Sequence, residues 1–156
     1  MNENRSHLPF SVILLILLQV FLGLGALVSG AMLMAFPDGS LMHMPLSMLE
    51  YSPFPNFFIP GMLLFTFVGL YPLAVAYSLW KRPAWRWPDV INPFKGYHWG
   101  WAGSLAAGVA VIVWILVEVA LLRSISLLHY LYLGWGAVIL IVTLLPGVHR
   151  SFKVVA

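Results

Sequence analysis

The residue with the clearest capacity for chemistry is Glu118, which stands in the apolar stretch Trp99–Leu122. A carboxylate inside a membrane-length helix costs roughly 2.5–3.5 kcal/mol at the helix centre on insertion scales, and such residues face a bundle interior or a cavity. Steps of four and three along a helix put Gly100, Ser104, Ala107, Val111, Trp114 and Glu118 on one stripe. The small residues on that stripe mark a packed helix interface. Glu118 is therefore expected to point inward. It precedes Arg123 by about 7.5 Å of helix at 1.5 Å per residue, close to one end of its span. There it can hold a proton or a cation, or it can do no more than pair with Arg123 or His129.

Gln19 is the second candidate, on a stripe with Gly23, Ala26 and Gly30. Its amide can contact a ligand, or bond a neighbouring helix for about 0.6 kcal/mol. A third group follows from topology: Asp38, His43, Glu50, Glu118, Arg123 and His129 are all expected on one side of the membrane, where a pocket would collect several of them. Met32, Met34, Met42, Met44, Met48 and Met62 fall toward the same side, and Met42-His43-Met44 is contiguous. Thioethers with imidazole suit Cu(I), but methionine is also adaptable apolar filler. The packing explanation of these methionines is preferred, and no metal or other cofactor is expected. There is no cysteine, no Gly-x-Ser-x-Gly and no phosphate-binding glycine loop. Glu118 with His43 or His129 is the one set of convergent polar groups a lipid-modifying enzyme could use, so a non-enzymatic role is favoured.

The elements that position these residues follow from composition. Of 156 residues 62% are hydrophobic and 8% charged, against about 25% charged in soluble domains. The partner of such a surface is the lipid bilayer; the basic residues lie in short segments between apolar blocks and do not indicate nucleic acid. Continuous apolar runs predict an all-α, four-helix transmembrane bundle forming one domain over residues 1–156, with helices at about 8–36, 57–80, 99–122 and 127–145. A β-barrel would alternate instead. The first run is much longer than the core of about 7–15 residues of a secretory signal, so an uncleaved helix is expected although Ser29-x-Ala31 imitates a cleavage site.

Seven of the eight basic residues (Arg5, Lys81, Arg82, Arg86, Lys95, Arg150, Lys153) fall on one side and Arg123 on the other. The positive-inside rule then places both termini and the 81–98 loop in the cytoplasm of a cell whose plasma membrane the chain crosses. Trp80, Trp85, Trp87, Trp99 and Trp101 are expected there as interfacial anchors. The outer loop 37–56 is rich in proline and apolar residues, and predicts a short interfacial helix at roughly 45–51 that lies over the bundle as a lid. The stretch Ser52-Pro-Phe-Pro-Asn-Phe-Phe-Ile-Pro-Gly61 resembles a segment of small four-helix bacterial membrane proteins of uncharacterised function. That resemblance implies the four-span fold and a bacterial inner membrane, and it carries no activity.

These readings converge on a subunit or binding module for a small hydrophobic or cationic ligand, held at the outer side by Glu118, His129, Arg123, His43, Glu50 or Gln19. The rival is a small proton-coupled transporter that uses Glu118. Because four helices are few for a transport pathway, a homodimer or a larger membrane complex is the expected assembly.

Overall fold

The computed structural model describes residues 8–154. Among these the chain is helical, with four helices long and apolar enough to cross a membrane: Phe10–Ala35, Phe58–Lys81, Trp99–Leu122 and Leu127–Leu144. Such helices fit a multi-pass membrane protein, because each satisfies its own backbone in lipid.

Helix α1 (Phe10–Ala35) starts behind Pro9, whose carbonyl accepts the Val12 and Ile13 N–H groups, and stops ahead of Pro37. The second span comprises α2 (Phe58–Leu63), a π-helical stretch (Leu64–Leu70) and α3 (Tyr71–Lys81). The π winding was not foreseen from hydropathy, yet its cause is in the sequence. Pro72 has no N–H for the Val68 carbonyl and its ring would press on it, and a wider turn relieves both problems. The Thr66 hydroxyl adds a bond back to Met62 O at 2.8 Å. After the short α4 (Arg86–Ile91) comes α5 (Trp99–Leu122), which ends on Arg123 at φ 47°. Next, α6 (Leu127–Leu144) opens with a reciprocal cap in which Ser126 and His129 each bond the other's backbone. Pro146 begins a final short helix, α7 (Pro146–Ser151).

The spans pack as two hairpins. In the first, α1 meets the second span at glycines: a Cβ on Gly30 would lie 2.7 Å from Gly61 O and from Phe65 N, and one on Gly23 would lie 2.9 Å from Gly69 O. In the second, a Cβ on Gly136 would lie 3.0 Å from Gly108 O. Backbones approach this closely only where side chains are small. The hairpins are tied together from mid-bundle toward the end that carries Phe10, Lys81 and Trp99. The Tyr71 hydroxyl donates to Gly103 O at 3.2 Å and the Trp135 indole to Leu18 O at 3.1 Å. Ser78 stands against Gly100, and Ser11 against Gly147. Toward the other end, α2 packs on α1 while α5 packs on α6, and the two pairs part.

Two apolar cores reflect this shape. The larger fills the tied region around Leu15, Val75, Leu79, Trp101 and Ile139. The smaller consists of Leu33, Leu49 and Phe57, with methionines 42, 44 and 48 packed on it. It lies under the 37–56 segment, which folds into two 3-10 turns (Ser40–Met42 and Leu46–Leu49) and is closed by the Phe57 N–H donating to Pro37 O at 2.8 Å. The second turn falls within the short helix expected at 45–51, as a single 3-10 turn.

One expectation about the tryptophans is corrected. Trp80 and Trp87 are exposed as anchors should be, but Trp99 and Trp101 are buried. The Trp99 indole donates to Pro83 O and its ring stacks on Trp85, while the Trp101 indole donates to Thr143 O at 3.0 Å. Each buried N–H has a carbonyl to satisfy it, which makes burial of the ring favourable.

Candidate functional site: a cavity between the two hairpins

Where the hairpins part, a cavity of about 340 Å³ opens between them, a size within the range of small-molecule sites. All four spans contribute to it, and the 37–56 segment adds Met42, Met44 and Met48. A second cleft of about 180 Å³ runs on toward the second span and α5, under Pro53, Phe54 and Phe57. Leu33, Met44, Leu64, Trp114, Glu118 and Leu122 line both. Glu118 thus stands on the wall between two apolar spaces, and it is the acidic residue in either lining.

Its surroundings decide what it can do. Arg123, the cation nearest in sequence, does not turn back to it. The Arg123 guanidinium lies over the Tyr51 ring at 4.0 Å, a cation–π contact that draws the charge toward the 37–56 segment. The side chains that share the cavity wall with Glu118 include Trp114, one turn earlier on α5, and His129 on α6. His129 is buried, and its Nδ1 accepts the Ser126 N–H at 2.8 Å. With Nδ1 an acceptor, the neutral ring carries its proton on Nε2, so the imidazole has a donor left to offer. The cavity therefore presents a carboxylate, an imidazole, the rings of Trp114 and Tyr132, and three thioethers on otherwise apolar walls. This combination can hold a cationic or hydrogen-bond-donating head beside an apolar body.

Of the other residues expected here, several lie apart. His43 is exposed at φ 54°, while its neighbours Met42 and Met44 line the cavity, so the contiguous Met-His-Met run is split between two faces. No group of three His, Cys, Asp or Glu side chains is placed to hold a metal among the described residues. Glu50 is exposed at the end of the second 3-10 turn. Asp38 is also outside the lining; the Ser40 hydroxyl at 2.7 Å and the Ser40 N–H at 3.1 Å hold its carboxyl below the usual carboxylate range. Gln19 is fully buried on α1 and is not in either lining. Neither its amide nitrogen nor its oxygen has a hydrogen-bond partner, and the Ser78 hydroxyl is similarly alone. Such a group costs about 1–3 kcal/mol when left unpaired.

The structure adds two residues that sequence reasoning passed over as site members. Tyr132 lies three positions beyond His129 on the same face of α6, a spacing that was available as a signal. Ser29 lies one turn from Ala26 and Leu33, and its small polar side chain gave no cue beyond a mimic of a cleavage site. No family model, curated protein or solved structure matches this chain.

Proposed function

We propose that this chain is a non-enzymatic binding module or subunit of a bacterial plasma membrane, a single transmembrane domain that holds a small hydrophobic or cationic ligand between its helix hairpins. One observation carries the reading: Glu118 lines an apolar cavity while the neighbouring Arg123 is engaged by Tyr51. A carboxyl group in a low-dielectric setting is costly to ionise on its own, and a cation entering beside it offsets that cost. An organic cation loses little hydration on entering. The test is binding of tetraphenylphosphonium to the purified chain by equilibrium dialysis. Glu118→Gln keeps the shape and removes the charge, and should weaken binding by about tenfold or more, equivalent to about 1.4 kcal/mol. Equal affinity in the two proteins would end this reading.

A second reading is favoured by the position of Glu118 between two clefts: exchange of a proton for ligand on that carboxylate, as in a small transporter, working as a homodimer or in a larger membrane complex. It predicts uptake into liposomes driven by a pH gradient and absent in Glu118→Gln. Both readings take the 37–56 segment as the outer side, from the positive-inside bias of the loops. Cysteines introduced at Ser40 and Ser52 should react with an impermeant thiol reagent in intact cells, and one at Ala84 should not. The opposite pattern reverses the orientation.

A further inference from the structure

Resting on the binding reading above, we infer that the ligand is a long-chain ammonium amphiphile, and that it enters the cavity sideways from the bilayer between α1 and α6. The route follows from which lining residues are exposed. Leu128 and Tyr132 of α6 line the cavity and are 61% and 38% exposed, and Ser29 facing them on α1 is half-buried. These residues form a mouth on the apolar flank of the bundle. The floor is sealed by Ala26, Val68 and Val111, all buried. The 37–56 segment gives the lining three methionines and no charged side chain. A ligand arriving from water would pass the three methionines of that segment or the Ser126 turn, whereas one dissolved in lipid meets the open flank directly.

The head is specified by charge and by rings. Glu118 accepts and does not donate when ionised, and the face of Trp114 or Tyr132 favours a cation within about 6 Å. A carboxylate or sulfate head would meet Glu118 with like charge, and the lining holds no Lys or Arg to compensate it. The chain is specified by the walls, on which each buried methylene contributes about 0.8 kcal/mol. An ammonium ion without a chain leaves those walls empty.

The experiment uses the full chain in phosphatidylcholine nanodiscs and a dodecyltrimethylammonium probe bearing a diazirine in its chain. After photolysis the label should map to Ser29 or to the Leu128–Tyr132 peptide. Unlabelled dodecyltrimethylammonium should displace it at concentrations more than about tenfold below those needed of tetramethylammonium or dodecanoate. Ser29→Trp, which narrows the mouth, should lower the labelling. Equal potency of tetramethylammonium overturns the requirement for a chain, and equal potency of dodecanoate overturns the choice of head. Labelling confined to residues 37–56 overturns the lateral route. A label that nothing displaces overturns the whole inference; tetraphenylphosphonium binding that still depends on Glu118 in the same preparation would then leave the broader binding reading standing.

Discussion

At the end of the bundle that carries His98 and Phe152, polar side chains other than the unpartnered Ser78 are consumed by the fold. His98 caps α5 by accepting the Gly100 N–H on Nδ1 at 3.1 Å, and its Nε2 lies 3.2 Å from Pro83 O. The His98 N–H donates to Phe152 O, and the Ser104 and Thr143 hydroxyls bond Gly100 O and Ile139 O within their own helices. At the opposite end Glu118 faces a cavity, and the cation nearest in sequence has been drawn away to Tyr51. Residue type therefore does not separate a structural polar group from one available for a ligand. What separates them is whether the side chain opens on a cavity, since Gln19 and Ser78 also lack partners but are sealed in the core. At the tied end Ser104 and Thr143 bond carbonyls of their own helices and Tyr71 and Trp135 bond carbonyls across the hairpins, whereas Glu118 at the splayed end is left facing the cavity.

The largest test of this contrast is steric. A Cβ on Gly103 would stand 3.0 Å from Val75 Cγ2 and 3.5 Å from the Tyr71 hydroxyl. Gly103→Leu should therefore wedge the hairpins apart where they are tied, and lower unfolding stability in detergent by about 1–3 kcal/mol. Ser29→Leu adds comparable bulk to the cavity wall and should stay within about 0.5 kcal/mol of the native protein. Similar losses from the two changes would mean that the ends are packed alike, and the distinction would be lost.

Most of the fold was legible because lipid makes the helical code strict: apolar runs of sufficient length, ended by Pro37, Arg82-Pro83 and Pro146, place all four spans within a residue or two of those observed. Glu118 was legible as inward-facing from its stripe of small residues, and it does face the cavity. A pocket on this side was expected from topology, but its place between the two hairpins was not legible. It exists because the glycine contacts hold spans within each hairpin, whereas the ties between hairpins, Tyr71 to Gly103 and Trp135 to Leu18, lie toward one end. Periodicity along one helix contains no information about such tertiary contacts. The direction taken by Arg123 was hidden for the same reason, since Tyr51 is distant in sequence and meets it only after the 37–56 segment has folded back.

A smaller effect separates the two ends by pH. Burial holds the His98 imidazole below its usual value of 6.5, because desolvation disfavours the charged ring. The unfolded chain then takes up the proton first, so His98 favours the folded state at neutral pH. That contribution is lost as pH falls through 6.5, and is gone once pH is below the lowered folded value. Protonation also removes the Nδ1 acceptor that caps α5. Asparagine supplies a cap oxygen that does not titrate, so His98→Asn should flatten the pH dependence of unfolding in detergent. His98→Ala should lose the cap at every pH, for about 1 kcal/mol. If native protein and His98→Asn weaken in parallel below pH 6.5, His98 is not the titrating tie.

The smallest effect lies between Arg123 and Tyr51, and it bears most directly on why Glu118 is free. An exposed cation–π contact contributes about 0.5–1 kcal/mol, so a double-mutant cycle with Arg123→Ala and Tyr51→Leu should return a coupling of that size. The stability change is modest, but the functional consequence should exceed it. Tyr51 is not in the cavity lining, so Tyr51→Leu removes nothing that touches a ligand there. It does release the guanidinium, which sits at the end of the helix that carries Glu118 and has a flexible stem long enough to turn back along it. A released Arg123 competes with any cation for the carboxylate. Tyr51→Leu should accordingly weaken tetraphenylphosphonium binding, and the double variant Tyr51→Leu/Arg123→Ala should restore it, because the competitor is then gone. Tyr51→Phe keeps the ring and should bind as the native protein does. Unchanged affinity in Tyr51→Leu would show that the ring does not hold Arg123 away from Glu118. Weakened affinity that Arg123→Ala fails to rescue would show that Tyr51 acts through the fold of the 37–56 segment rather than through the charge.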